Sequence, residues 1–296
     1  MDGPMTIVVV WPPGSSFDIV GRLVADGLRR KYGAAVVVDN RTGASGNIGQ
    51  AHVARARPDG YTFGVTTPGP AANNMLTFRS LPYNPLTDFT GITRLTRESQ
   101  VLVVGRSLRV QSFKEFLAHA RANPGRVQMG FPGNGSYSHM TQLALQELAG
   151  VAFNLIPYRG PPQVLQDMLA GNVDAGMALA GNFMPQIRSG DLTPLAVVSA
   201  TRDPFLPDVP TLVEEGFDFV SQPWSGMQGP KGMPREIVAE MNRAVREILT
   251  DSTSIARLQG FGITPSPSTP EEMDRMILDE VNKWRPIIEK YRITLD

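Results

Sequence analysis

Apolar and polar positions along the first part of the chain switch between two periods. Thr6 to Trp11 is a short β-branched apolar run closed by Pro12-Pro13-Gly14, which predicts a buried strand. From Asp18 to Lys31 the apolar residues Ile19, Val20, Leu23, Val24 and Leu28 recur at helical spacing, and Gly33 supplies the stop. Ala35 to Asp39 predicts a second strand. Asn47 to Arg57 predicts a second helix, closed by the turn Pro58-Asp59-Gly60, and Tyr61 to Thr66 a third strand. Strand and helix in alternation predict a parallel sheet with right-handed crossovers.

A second series follows. Strands are predicted at Val101 to Val104, Val127 to Phe131, Phe153 to Pro157, Val173 to Ala178 and Pro194 to Ser199. Helices are predicted at Phe113 to Ala122, Ser138 to Ala149 and Gln163 to Ala170. The tail changes character: Arg235 to Leu249, Thr253 to Gly260 and Pro270 to Tyr291 read as helices with little strand between them. The expected fold is α/β with two lobes, each a mostly parallel sheet flanked by helices. The tail is expected to pack back on the first lobe. That lobe then comprises 1–100 plus 224–296 and the second 101–223, with crossings near Thr96 to Val101 and Ser221 to Trp224.

Composition narrows the partners. The chain has 296 residues, long enough for two lobes with ordinary cores. Lys plus Arg equals Asp plus Glu, 28 against 28, so no general field draws nucleic acid or anionic membrane, and any anion needs a local site. Cysteine is absent, which excludes disulfides and thiolate metal sites, and no cofactor or metal is expected. No apolar run approaches the ~20 residues of a membrane span. Met1-Asp2-Gly3-Pro4 has no signal-peptide character, so the chain reads either as cytoplasmic or as a mature periplasmic form whose signal peptide has been removed.

Candidate chemistry collects in loops at strand C-termini. Pro12-Pro13-Gly14-Ser15-Ser16-Phe17-Asp18 places a glycine and three N-cap residue types before a helix. The first turn of a helix carries unpaired N–H groups and partial positive charge, which suits a carboxylate; a capped helix start with no ligand is the plain alternative. Asn134-Gly135-Ser136-Tyr137, followed by His139, repeats the arrangement in the second lobe. Ligands of open α/β sheets bind beyond the strand C-termini, so the pair predicts two helix starts aimed at one cleft. Thr66-Thr67-Pro68 follows the third strand and is expected to bring hydroxyls to the first loop's rim. The glycine-rich Thr42 to Gly49 segment lacks the spacing of the dinucleotide fingerprint, and no P-loop is present. His139 reads as a capping or packing residue, because no nucleophile elbow accompanies it. Trp224 reads as packing, with a wall of the cleft as the alternative.

With these loops in view the chain resembles the Bordetella uptake gene (Bug) family, the solute receptors of tripartite tricarboxylate transporters. The resemblance rests on Pro12 to Arg22, Val38-Asp39-Asn40-Arg41, Gly46-Asn47-Ile48-Gly49, Pro58 to Thr62, Leu81-Pro82-Tyr83, Asp88-Phe89, Pro132 to Ser136, His139, Pro157 to Gly160, Gly171 to Asp174 and Leu206 to Thr211. It implies a periplasmic receptor of the flytrap kind that delivers a small organic acid to membrane permease subunits. Carried over by position, the ligand contacts fall on Gly14, Ser15, Ser16, Phe17 and Asp18; on Thr66, Thr67 and Pro68; on Asn134, Gly135, Ser136, Tyr137 and His139; and on Tyr158, Arg159, Gly160 and Asn182. The chain departs from the family at Phe17, where a small residue is usual, and at Thr42, where proline is common. Phe17, Tyr137 and Phe183 would make the cleft more apolar.

The resulting expectation is a monomeric, non-enzymatic receptor for a C4–C6 dicarboxylate. The alternatives are a receptor for an aromatic carboxylate, a cytoplasmic carboxylate-processing enzyme using His139, and a receptor that presents its closed form to a sensor protein.

Overall fold

The computed structural model of the chain describes residues 3–295. The chain begins with β1 (Met5–Val9), α1 (Ser16–Tyr32), β2 (Val36–Asn40), α2 (Asn47–Ala54), β3 (Thr62–Thr66), α3 (Asn74–Thr77) and β4 (Phe89–Arg97). A second series follows: β5 (Gln100–Val104), α4 (Phe113–Ala122), β6 (Gln128–Phe131), α5 (Tyr137–Ala149), β7 (Asn154–Pro157), α6 (Pro161–Ala170), β8 (Ala175–Leu179), α7 (Met184–Ser189) and β9 (Thr193–Val197). The chain ends with β10 (Trp224–Pro230), α8 (Arg235–Thr250), α9 (Ser252–Gly260), β11 (Thr264–Pro265) and α10 (Pro270–Tyr291). Two compact units result. The first comprises the residues up to Arg97 with Trp224–Glu289, the second Glu98–Pro223 with Lys290–Leu295.

The first unit carries a six-stranded sheet ordered β11-β4-β10-β3-β1-β2. β1 pairs parallel with β2 and β3, as alternation with α1 and α2 requires. α1 begins because Ser15 caps it, its Oγ accepting the Asp18 N–H at 3.2 Å. It ends because Gly33 takes φ 66°, closing onto the Arg29 carbonyl. Its buried stripe of Val20, Leu23, Val24 and Leu28 packs on Ile7, Val9, Phe63 and Val65 of the sheet and on Met241, Val245 and Leu249 of α8.

The sheet is mixed, which strand–helix alternation does not foresee. β10 runs antiparallel between β3 and β4, and all seven of its residues are buried. Its sequence, Trp-Ser-Gly-Met-Gln-Gly-Pro, has neither alternation nor β-branched residues. Its glycines answer a packing demand. A Cβ on Gly226 would lie 2.2 Å from Met273 Cε, and one on Gly229 would lie 2.0 Å from Met233 Sδ. Trp224 is 2% exposed and packs with Ala71, Ala72, Met273, Ile277 and Val281. It is a core residue of this unit. α10 lays Met273, Ile277, Val281, Trp284 and Ile288 on one buried stripe at steps of three and four.

The second unit carries a five-stranded sheet ordered β7-β6-β8-β5-β9. β6 pairs parallel with β7 and β8, while β5 is antiparallel to both its neighbours. Helices cover both faces. Phe113, Phe116 and Leu117 of α4 pack with Leu102, Val104 and Met129. Val164 and Met168 of α6 pack with Val101, Val103 and Phe183. Phe183 is fully buried there, so the expectation that it would line a binding surface is corrected: it is core.

Candidate functional site

In the first unit the loop after β1 is organised by one carboxylate. Asp18 is 2% exposed, and its side chain accepts three hydrogen bonds. Its Oδ2 receives the Gly14 N–H at 2.8 Å and Arg22 Nε at 2.9 Å, and its Oδ1 receives Asn40 Nδ2 at 2.9 Å. Asn40 Nδ2 also reaches the Trp11 carbonyl at 3.0 Å, so β2 is tied to the start of the same loop. Burial opposes the charged carboxylate, but the hydrogen bonds from Arg22, Gly14 and Asn40 outweigh it and hold Asp18 below the usual carboxylate range. Asp18 is therefore committed to the loop's own architecture. What it organises is a turn at Gly14, φ 83°, and the first turn of α1 with the backbone of Ser16 and Phe17. Helix geometry leaves the amides of this first turn without intrahelical acceptors.

The loop after β3 joins this one. Trp11 Nε1 donates to Thr67 Oγ1 at 3.1 Å, and the Trp11 and Phe17 rings lie 6.0 Å apart. Thr66, Thr67 and Pro68 are buried, so the two threonine hydroxyls lie inside instead of along an exposed rim. Beneath them is a polar hub that the sequence did not disclose. Asn47 Oδ1 lies 2.6 Å from Asn74 Nδ2 and 2.7 Å from the Tyr83 hydroxyl, which is also 2.9 Å from the Pro70 carbonyl. The glycine-rich Thr42–Gly49 segment lacks the spacing of a nucleotide-binding loop. The structure gives it this different task, anchoring the turn that follows Pro68.

The second unit repeats the device at the end of β6. Gly133 and Gly135 take φ of 103° and 67°, and Ser136 caps α5 by accepting the His139 N–H at 3.1 Å. The match with Ser15 and Asp18 is close: a positive-φ glycine, a serine N-cap, and the amide three residues on. The imidazole of His139 stacks on Phe131 with centroids 4.2 Å apart and planes 8° apart. Its Nδ1 accepts the Gly135 N–H at 3.1 Å. Accepting there makes the ring neutral, with its proton on Nε2. His139 thus both packs and braces the loop.

Burial pushes the His139 imidazole down to about 4. With its folded value below the ordinary 6.5, the unfolded chain binds more protons across that interval. The stability contributed by neutral His139 is complete above pH 6.5 and is lost as pH falls through about 4. Between pH 7 and 4.5 the melting temperature of the wild type should fall about 2–4 °C further than that of His139→Gln. Parallel pH profiles for the two proteins would refute this role.

Tyr158 stands beside the same loop. Its N–H donates to the Phe131 carbonyl at 2.9 Å and its hydroxyl to Asp167 Oδ2 at 2.7 Å. Burial and the Asp167 carboxylate push that hydroxyl up to about 12. Arg159 is exposed, and its N–H donates to Gln163 Oε1 at 3.0 Å. Gly160 precedes α6, whose first two residues are Pro161 and Pro162. Prolines there remove N–H groups that the starts of α1 and α5 retain, so α6 is the poorer anion end. Asn182 is exposed on the short turn Ala180–Asn182 after β8. The structure thus brings together Gly14–Asp18 with Thr67 in the first unit, and Asn134–Tyr137 with His139 and Tyr158 in the second. Among the described residues, no group of three or more His, Asp or Glu is placed to hold a metal ion. Among them no helix is long and apolar enough to cross a membrane.

Two α/β units, each ending a parallel strand in a glycine turn and a serine-capped helix, define a binding protein of the two-lobed periplasmic class. Solved structures share this fold. An R. palustris protein, Rpa4515, solved with adipate, aligns with TM-score 0.82 and 33% identity over 97% of this chain and 96% of its own. MatC of Rhodopseudomonas palustris, solved with bound malate, aligns with TM-score 0.77 and 29% identity over 97% and 99%. Protein BugT of Bordetella pertussis is 33% identical over 289 residues, 97% of this chain and 89% of BugT. Residues 20–293 match the family described as tripartite tricarboxylate transporter family receptor, and the chain belongs to that family. The resemblance read from the loops is borne out, and the family is one of solute-binding receptors.

Proposed function

We propose that this receptor captures a C4–C6 dicarboxylate in the periplasm and delivers it to the permease subunits of a tripartite tricarboxylate-type transporter. The observation that carries the reading is the duplicated loop device, Gly14-Ser15 to Asp18 and Gly135-Ser136 to His139, at the C-terminal ends of β1 and β6. At each of these helix starts amides and the helix dipole favour a carboxylate's negative charge. Each such contact contributes ~0.3–2 kcal/mol, so several together with hydrogen bonds support micromolar affinity, about −8 kcal/mol. Adipate and malate in two relatives at 33% and 29% identity support a ligand of this chemistry. Asp18 enters as the organiser of the loop, and Tyr158 as a wall beside the second.

A thermal-shift screen tests the reading. Linear dicarboxylates of four to six carbons should raise the melting temperature at submillimolar concentration, with monocarboxylates weaker. Stabilisation by a neutral sugar or an amine, and by no acid, would overturn it. A receptor for an aromatic acid is the second reading, favoured by Phe17 beside Trp11. In the same screen it is the one supported if benzoate-type acids shift the transition more than adipate does.

A further inference from the structure

The last residues of α10 and those beyond it belong to the second unit, and Leu295 among them lies against its candidate ligand loop. Two anchors fix them. Lys290 Nζ and the Tyr291 hydroxyl both donate to the Glu147 carboxylate on α5, the helix whose first turn the loop caps. These two bonds hold Glu147 below the usual carboxylate range. The chain then turns at Arg292, which takes φ 49°. A left-handed backbone is costly for a residue with a Cβ and persists where surrounding contacts enforce it. The turn buries Ile293, 7% exposed. It also sets the Leu295 side chain against Gly135: a Cβ on that glycine would lie 2.8 Å from Leu295 Cδ2 and 3.2 Å from Cδ1.

We infer that Lys290–Leu295 is a strap that holds the Gly133–Tyr137 loop in its ligand-receiving conformation, with Leu295 as the positioning residue; this rests on the proposed function of that loop. Gly133 and Gly135 lack the Cβ that restricts other residues, and both sit at positive φ. A loop of that kind samples several shapes unless something restrains it. His139 restrains it through the Gly135 N–H, and Leu295 covers the side-chain-free surface of the same glycine. The glycine has a second use as well. Its missing Cβ is the space Leu295 occupies, so the loop and the strap are fitted to each other. Ordering the loop before the acid arrives spares the ligand that ordering cost, which is how preorganisation raises affinity.

The test uses the full chain with Leu295→Ala, Leu295→Met and Glu147→Ala. Deuterium uptake of the peptide covering 133–137 is measured without ligand, and the Kd for the best acid of the screen by calorimetry. Leu295→Ala and Glu147→Ala should raise uptake in that peptide and weaken binding about 3–10-fold through lost preorganisation. The melting temperature without ligand should move little, and Leu295→Met should restore both readouts. Unchanged uptake, or unchanged Kd in a protein whose loop has loosened, would overturn the strap. The two readings fail separately: if the wild type binds no acid the proposed function falls, while uptake at 133–137 still reports whether the strap holds the loop.

Discussion

Asp18→Ala is expected to cost about 2–4 kcal/mol of folding stability and to weaken acid binding at least tenfold. The stability estimate follows from charge-assisted hydrogen bonds of roughly 1.5–3 kcal/mol, offset in part by water reaching the site. The buried carboxylate accepts from Gly14, Arg22 and Asn40, and its loss removes the acceptor of the Gly14 N–H and leaves Asn40 Nδ2 with the Trp11 carbonyl alone. Affinity falls because Gly14, at φ 83°, keeps its turn through that same bond. Asp18→Asn keeps an acceptor and the shape but no charge, so it should fall between the wild type and the alanine variant. Urea unfolding measures the first effect and calorimetry with the best acid of the screen the second. A stability loss under about 1 kcal/mol, the typical value for a lone surface pair, would show that the network is not what holds the loop.

Trp284→Ala is expected to be the most destabilising single change in α10, about 3–5 kcal/mol. Trp284 is fully buried, and its indole N–H donates to Glu280 Oε2 at 2.8 Å; Glu280 is itself 3% exposed and also takes Lys283 Nζ at 3.1 Å. The alanine variant opens a cavity of indole size beneath the helix and withdraws a donor from a buried carboxylate. Trp284→Phe separates the two contributions in large part, since it keeps most of the ring volume and removes the donor; about 1–2 kcal/mol is expected for it. Chemical denaturation of the three proteins decides the matter, and equal midpoints for wild type and Trp284→Ala would show that α10 does not stabilise the first unit.

The elements read correctly from sequence are those whose physics is local. α4 spans Phe113–Ala122 and α10 Pro270–Tyr291, as their apolar spacing predicts, and Gly33 ends α1 because only the left-handed region closes the Arg29 carbonyl. β4 and β10 escaped because their burial is imposed by neighbours. β10 lies inside the first sheet with strands on both sides, so its polar Ser225 and Gln228 are buried without any apolar alternation to mark it. β4 pairs with it through two register shifts, which break the period of two that identifies a strand. The same division runs through the site. Ser15 and Ser136 were legible as caps, since a cap and the amide it accepts stand three residues apart. That Asp18 serves Asn40, that Asn47 serves Tyr83, and that Leu295 covers Gly135 are pairings across 22, 36 and 160 residues respectively, beyond any local pattern.

The position of β10 has a consequence for how this molecule comes into being. The first unit's sheet places a strand from Trp224–Pro230 between β3 and β4, both of which precede Arg97. A chain emerging from its N-terminus therefore cannot complete that sheet until the intervening segment Glu98–Pro223 has been made. Glu98–Pro223, by contrast, contains all five strands of its own sheet. Vectorial synthesis or export thus favours the inserted segment Glu98–Pro223 folding first, with residues 3–97 kept waiting for a distant strand.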